Sequence, residues 1–331
     1  MTARQRFRAT FRDGVLGCPP LHEDLRDEVL AAWGAPDVLG GCHLDRWETG
    51  GPPGVDLGPR PPLAGVVRTE ADAAAWIEAY QPPFRGELPE SEVLRLTART
   101  WPLGLSFYRG LFQSFGVTDG DTLAAHCVFL ADYGDLTESM MRHLAEFTAR
   151  LAEPALARLD YDFLLLGEPI ASHHGPVISP AMFRRFVIPF YQRLIELARA
   201  YGVETVVWES FGQVENLLPA VLSAGVNVLC LRHAAAAGTD ILALRRQLPP
   251  EIGLIGGIDG RCLLAGEEAM TAEVARVVPT LLAGGRYLPM LDDRVREGVP
   301  PERFVRYRLA VEAELRSGPT SDMPGHVREG T

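Results

Sequence analysis

The chain has 331 residues, 47% of them hydrophobic, and a formal net charge of −11. The apolar fraction rules out a disordered chain, and the acidic balance disfavours nucleic acid as a partner. The five cysteines, Cys18, Cys42, Cys127, Cys230 and Cys262, are widely spaced and contain no C-x-x-C pair. This argues against a disulfide framework and a zinc ribbon, and a reducing cytoplasm is the expected setting.

The opening MTARQRFRAT lacks an apolar stretch, so no signal peptide is expected. Its Arg4, Arg6, Arg8 and Arg12 alternate with other residues and read as the solvated face of a short helix. Residues 18–23 (CPPLHE) are a candidate first strand ending in polar groups. Residues 34–62 are rich in Gly and Pro and read as loop. Residues 69–80 read as a helix with Thr69 as N-cap. From residue 136 the pattern becomes regular. Met140, Met141, Leu144, Phe147 and Leu151 follow the helical period over 136–158. Phe163 to Leu166 is a short apolar run ended by Gly167 and Glu168, as in a strand buried on both faces. Ser179-Pro180 opens a helix predicted to run to Tyr201.

The theme then repeats. Strands are expected at 205–208, 226–231, 252–255 and 287–290, with helices at 213–223, 239–247, 266–283 and 301–316. Alternating buried strands and helices give a parallel α/β sheet. The length suits eight units, and no G-x-G-x-x-G loop follows the first strand. The expected fold is therefore a single-domain (β/α)8 TIM barrel over residues 1–316, with 317–331 a disordered tail. No stretch reaches about 18 uninterrupted apolar residues, so no membrane span is expected.

In such a barrel the side chains just past the strand ends converge on one face. Those positions hold His22, Glu23, Glu168, Glu209, His233, Asp259, Asp292 and Asp293. Each has a plainer reading: Glu168 and Glu209 could cap helix N-termini, His233 could be a solvent-facing loop residue, and Asp259 and Asp292 could brace turns. Glu209, His233 and Asp292 come from nearby sectors and could together hold Zn²⁺ with an open position. The alternative is a metal-free acidic pocket. His173-His174 read as loop residues.

Four ordered segments resemble the uroporphyrinogen decarboxylase superfamily, which also contains corrinoid-linked methyltransferases. GPVISPAMFRRFVIPFYQRL (175–194) resembles its G-P-x-I-S-P-x-x-F-x-x-F pattern. LIGGIDGRCLLAGEEAM (254–270) resembles its G-G-I-D-x-R/K-x-L motif. GGRYLPMLDDRVREGVPPERFVRY (284–307) resembles its closing strand and helix, and RFRATFRDGVLGCPPLHE (6–23) its opening helix and strand. The resemblance implies a (β/α)8 barrel that acts on a small molecule. It also implies one of two chemistries: cofactor-free decarboxylation, or methyl transfer with Zn²⁺ and a corrinoid on a separate partner protein. Pairing of chains into a homodimer is a further implication.

The chain departs from both patterns. Where the tetrapyrrole decarboxylases carry an Arg-rich segment, residues 21–33 (LHEDLRDEVLAAW) are acidic and would repel a polyanion. Where the thiol methyltransferases carry H-x-C-G, this chain has Glu209-Ser210-Phe211-Gly212. Three readings follow. In the first, a metal-assisted one-carbon transfer enzyme uses Glu209, His233 and Asp292 as ligands and Glu23 or Glu168 as acid/base groups. In the second, a decarboxylase binds its substrate carboxylate through Arg232 or Arg261, and an Asp such as Asp259 steadies a protonated intermediate. In the third, the barrel binds ligand without catalysis. His22 and Trp208 join Arg232 and Arg261 as candidate substrate contacts.

Overall fold

The computed structural model describes residues 1–15, 19–25, 27–33, 44–52, 67–79, 88–107, 110–296 and 298–317. Its strands in chain order are β1 (Glu48–Gly50), β2 (Leu103–Phe107), β3 (Phe163–Glu168), β4 (Ala171–Ser172), β5 (Gly175–Pro176), β6 (Thr205–Phe211), β7 (Val228–Arg232), β8 (Gly253–Ile255) and β9 (Tyr287–Leu288). Seven of them form a curled sheet in the order β1-β2-β3-β6-β7-β8-β9, with every neighbouring pair parallel. Parallel neighbours require crossovers, and helices such as 134–156, 188–200, 241–247 and 267–283 supply them. β4 and β5 form a separate antiparallel hairpin after β3, with His173 and His174 in its turn.

The expected first strand does not form a ladder among the described residues. Cys18 lies outside them, and Pro19 and Pro20 lack the N–H donors a strand needs. Residues 19–25 instead cross the space between the two edges of the sheet. On one side Leu21 N–H donates to the Asp45 carboxylate at 2.7 Å and Asp45 N–H to Leu21 C=O at 2.6 Å. On the other, Leu291 N–H donates to Glu23 at 3.2 Å.

Side-chain alternation sorts the core into two layers. Phe163, Leu165, Val207, Val228, Cys230, Ile255, Leu288 and Met290 form one buried cluster inside the curl, capped by Phe7 and Phe11 of the N-terminal helix Ala3–Phe11. The alternate residues, among them Leu164, Leu166, Val206, Trp208 and Leu229, join the larger cluster under the helices. Each large apolar side chain so buried is worth roughly 1.5–3 kcal/mol. Phe7 closes the lower end, with its ring 5.1 Å from both Trp47 and Phe163.

Several sequence expectations need correction. The arginines of the first helix are mostly not a solvated face. Arg4 and Arg8 pair with Asp160 and Asp162, and Arg6 pairs with Asp45; only Arg12, paired with Asp13, is exposed on both sides. β1 lies inside the segment read as loop, and β2 was not read at all. The helix expected from 180 to 201 is two helices, Pro180–Phe186 and Ile188–Ala200, because Pro189 cannot continue the ladder of its predecessor. The helix expected over 213–223 begins only at Leu218, just before Pro219. By contrast Thr69 caps Glu70–Ala79 as expected, accepting from Asp72 N–H at 3.1 Å. The final helix ends at Ser317, and residues 318–331 lie outside the described part.

Candidate functional site

A cavity of about 550 Å³ opens where the strands of the sheet end. Its floor is the apolar inner layer: Phe163, Leu165, Val207, Ile255 and Met290. Its rim is polar and comes from many segments. Residues 19–25 give His22 and Asp24, helix 111–114 gives Gln113, and β3 gives Glu168. β6 gives Glu209 and Phe211, β7 gives Cys230 and Arg232, and the segment after β9 gives Asp293 and Arg294.

Glu168 is fully buried at the cavity wall. Leu111 N–H donates to its Oε1 at 3.0 Å and the Tyr191 hydroxyl to its Oε2 at 3.0 Å. Trp208 Nε1–H in turn donates to the Tyr191 oxygen at 3.0 Å, which leaves the tyrosine proton for Glu168. A Cβ on Gly110 would sit 2.0 Å from Glu168 Oε1, so only glycine lets this backbone close on the carboxyl. Burial pushes Glu168 up to about 8, against the two hydrogen bonds, and the group is protonated at neutral pH.

Glu209 is largely enclosed. Burial raises its carboxyl, Arg232 opposes the shift and Asp24 adds to it. Cys230 Sγ lies 3.8 Å from Glu209 Oε2, and burial pushes this thiol well up, so it is not an activated nucleophile. Arg232 is buried and paired with Asp24 at 2.5 Å. His22 stacks on Trp47 with ring centroids 4.8 Å apart; burial lowers it to about 4, so it is neutral at pH 7. Asp293 binds Arg296 at 2.6 Å and lies 3.2 Å from His233 Nε2. Arg294 lines the cavity and has no carboxylate partner among the described residues.

The residues expected from sequence are therefore only partly brought together. Glu168, Glu209, Arg232 and His22 line the cavity. Trp208 does not: its side chain points away into the helix layer, where it reaches Glu168 only through Tyr191. Glu23 lies outside the cavity lining, bound to Arg308 at 2.7 Å and to the Tyr307 hydroxyl at 2.5 Å. Asp259 and Arg261 pair with each other at 2.7 Å on a surface turn away from the lining.

The expected zinc triad does not converge. Both Asp292 oxygens are taken, one by Gly260 N–H at 3.0 Å and one by Ala235 N–H at 2.9 Å. Its carbonyl accepts from His233 N–H at 2.7 Å, which helps hold His233 in a left-handed backbone conformation, φ 54°. Asp292 thus ties together the loops after β7, β8 and β9. Among the described residues no group of three or more His, Cys, Asp or Glu side chains has the arrangement of a metal site. As folded, Glu209, His233 and Asp292 do not fit Zn²⁺.

The sequence reading missed Trp47, Gln113, Asp24, Cys230 and Arg294 as lining residues. For Cys230 and Arg294 a usable signal existed. Cys230 is two residues before Arg232 on one strand, so both face inward, and Arg294 follows the polar end of the β9 segment.

Comparison with known proteins fits this architecture. The family model for uroporphyrinogen decarboxylase (URO-D) matches residues 120–311. The chain is 26% identical over 261 residues to a uroporphyrinogen decarboxylase of Gluconacetobacter diazotrophicus, covering 73% of this chain and 70% of that one. A solved methyltransferase from Methanosarcina mazei superposes with a TM-score of 0.59 at 14% identity, covering 96% of this chain and 99% of that one. This last likeness is one of fold. No helix among the described residues is long and apolar enough to cross a membrane. With its matched segment running from the helix Gly120–Asp132 to the last helix, and so through most of the cavity wall, the chain belongs to the uroporphyrinogen decarboxylase (URO-D) family.

Proposed function

We propose that this chain is an acid–base decarboxylase of a small carboxylated molecule, with Glu168 as the proton donor. The observation that carries the reading is one fully buried carboxyl, its pKa raised by that burial, on the wall of a cavity that also holds Arg232 and Arg294. A general acid works best when its pKa lies near the working pH, and burial brings Glu168 there.

The chemistry balances without a redox partner. Glu168 passes its proton to the substrate carbon that bears the carboxylate. The positive charge that develops is steadied chiefly by Glu209, because Asp24 and Asp293 are already paired with Arg232 and Arg296. The electrons of the C–C bond to the carboxylate then return to the substrate as CO2 leaves. Glu168, now a carboxylate, regains a proton from solvent. The net change is carboxylate plus proton to C–H plus CO2. The apolar floor lowers the local dielectric beneath the charged rim, which strengthens each of these interactions. We also place residues 19–25 where an eighth strand would close the barrel, so that His22 and Asp24 complete the rim.

The competing methyl-transfer reading would use Zn²⁺ and a corrinoid protein, and among the described residues Glu209, His233 and Asp292 do not have the arrangement of a metal site. The test is elemental analysis joined to a CO2-release assay over a panel of small carboxylates. Release of CO2 by the wild type and its loss in Glu168→Gln supports the proposal. Stoichiometric zinc that is lost in Glu209→Ala, with no CO2 from any substrate, favours methyl transfer instead.

A further inference from the structure

We infer that the cavity selects an aromatic ring carrying a single carboxylate, with Arg294 as the residue that sets this selectivity. The inference deepens the decarboxylase reading by naming its substrate class, and it stands on charge and shape.

The charge count comes first. Among the described residues two cations line the cavity, Arg232 and Arg294. Arg232 is already committed to Asp24, with the arginine side chain 5% exposed. Arg294 alone has no carboxylate partner among the described residues. Of the acids on the same wall, Asp24 is paired with Arg232 and Asp293 with Arg296, which leaves Glu209 with no bonded cation among the described residues. A ligand with one carboxylate meets one free guanidinium, which matches it in planar, two-pronged geometry. A second carboxylate would meet Glu209 and, among the described residues, no unpaired cation of the lining. Like charges a few ångströms apart in a partly enclosed site weaken binding by about tenfold or more. The family match to a uroporphyrinogen decarboxylase does not alter this count, because the decisive residues belong to this chain.

The shape is aromatic. His22 and Trp47 stack at 4.8 Å, and Trp47 meets Phe163 at 4.9 Å, so rings line one continuous side of the cavity. Phe211 faces in from β6 and packs on His233 at 5.8 Å. Ring faces prefer offset or edge-on aromatic neighbours over saturated ones. A cavity of about 550 Å³ has room for a one- or two-ring ligand with its polar group at the rim.

The test is calorimetric binding of four probes to the intact protein and to Arg294→Gln: 2-naphthoate, 2-naphthylmethanol, naphthalene-2,6-dicarboxylate and decalin-2-carboxylate. In the wild type, 2-naphthoate should bind about tenfold more tightly than each of the other three. In Arg294→Gln the preference for naphthoate over the neutral alcohol should vanish while the alcohol binds as before, an outcome that a merely misfolded variant would not give. Equal or tighter binding of the dicarboxylate or the decalin acid overturns the inference, as does a preference that survives in Arg294→Gln, or absence of binding by all four. The two readings fail separately. The predicted selectivity without CO2 release from any arene carboxylate sinks the decarboxylase alone. CO2 release from a polycarboxylate, with naphthoate binding unchanged in Arg294→Gln, sinks the selectivity alone.

Discussion

The surroundings of Glu168 and of Glu23 put two fully buried carboxyl groups in opposite company. Glu23 faces the Arg308 guanidinium at 2.7 Å, the Tyr307 hydroxyl and Leu291 N–H; burial pushes its carboxyl up and Arg308 pulls it back. Its partners belong to the last helix and to the chain after β9, so it fastens residues 19–25 to the rest of the sheet. Among the described residues Glu168 has no cation as a bonded partner, only Leu111 N–H and the Tyr191 hydroxyl, and it opens onto the cavity. Burial alone does not make an acid catalyst. A buried carboxyl becomes one where nothing positive neutralises it and a ligand can reach it.

Substitutions can break this contrast. The largest effect is expected in Glu168→Gln, which keeps the shape and removes the proton: turnover should fall by about 10²–10⁴-fold, with melting temperature little changed near pH 5. Arg308→Met should do the reverse. It strands Glu23 in the interior and should cost about 3–5 kcal/mol of stability, read by denaturant unfolding, while folded molecules keep their turnover.

The pH dependence sharpens the contrast further. Glu168 is raised from 4.5 to about 8, so between those values the folded state holds a proton that the unfolded chain has lost. Its contribution is complete below the unfolded pKa and declines as pH rises towards about 8, by on the order of 5 kcal/mol. Glu168→Gln should lack that slope, so the stability difference between variant and wild type should grow in favour of the variant from about pH 5 to pH 8.

Smaller effects probe the periphery. Tyr191→Phe removes a hydrogen bond that favours the charged form of Glu168, so the alkaline limb of the pH–rate profile should move upward, at a stability cost of about 1 kcal/mol. Arg261→Ala breaks an exposed pair with Asp259 outside the cavity lining and should change stability by less than about 0.5 kcal/mol, with turnover unchanged.

The second half of the molecule was legible because β3, β6 and β7 are apolar runs that end in polar residues, which is how Glu168, Glu209 and Arg232 could be read as site residues. Parity was the detail not applied. Glu209 and Trp208 are adjacent on one strand and must face opposite ways, and Asp292 and Asp293 divide in the same manner between loop bracing and cavity. The first half was less legible for a physical reason. β1 is three residues long, residues 19–25 cross the sheet edge without a ladder, and Trp47 enters beside them, so no periodic pattern marks the place. The Glu23–Arg308 pair joins residues 285 apart in sequence, a contact that no local pattern announces.

The most direct measurement is the infrared difference spectrum of wild type minus Glu168→Gln as a function of pH. The account predicts the C=O stretch of one protonated carboxylic acid at about pH 6, disappearing in a single titration near pH 8. Carboxylate bands alone at about pH 6 would contradict it.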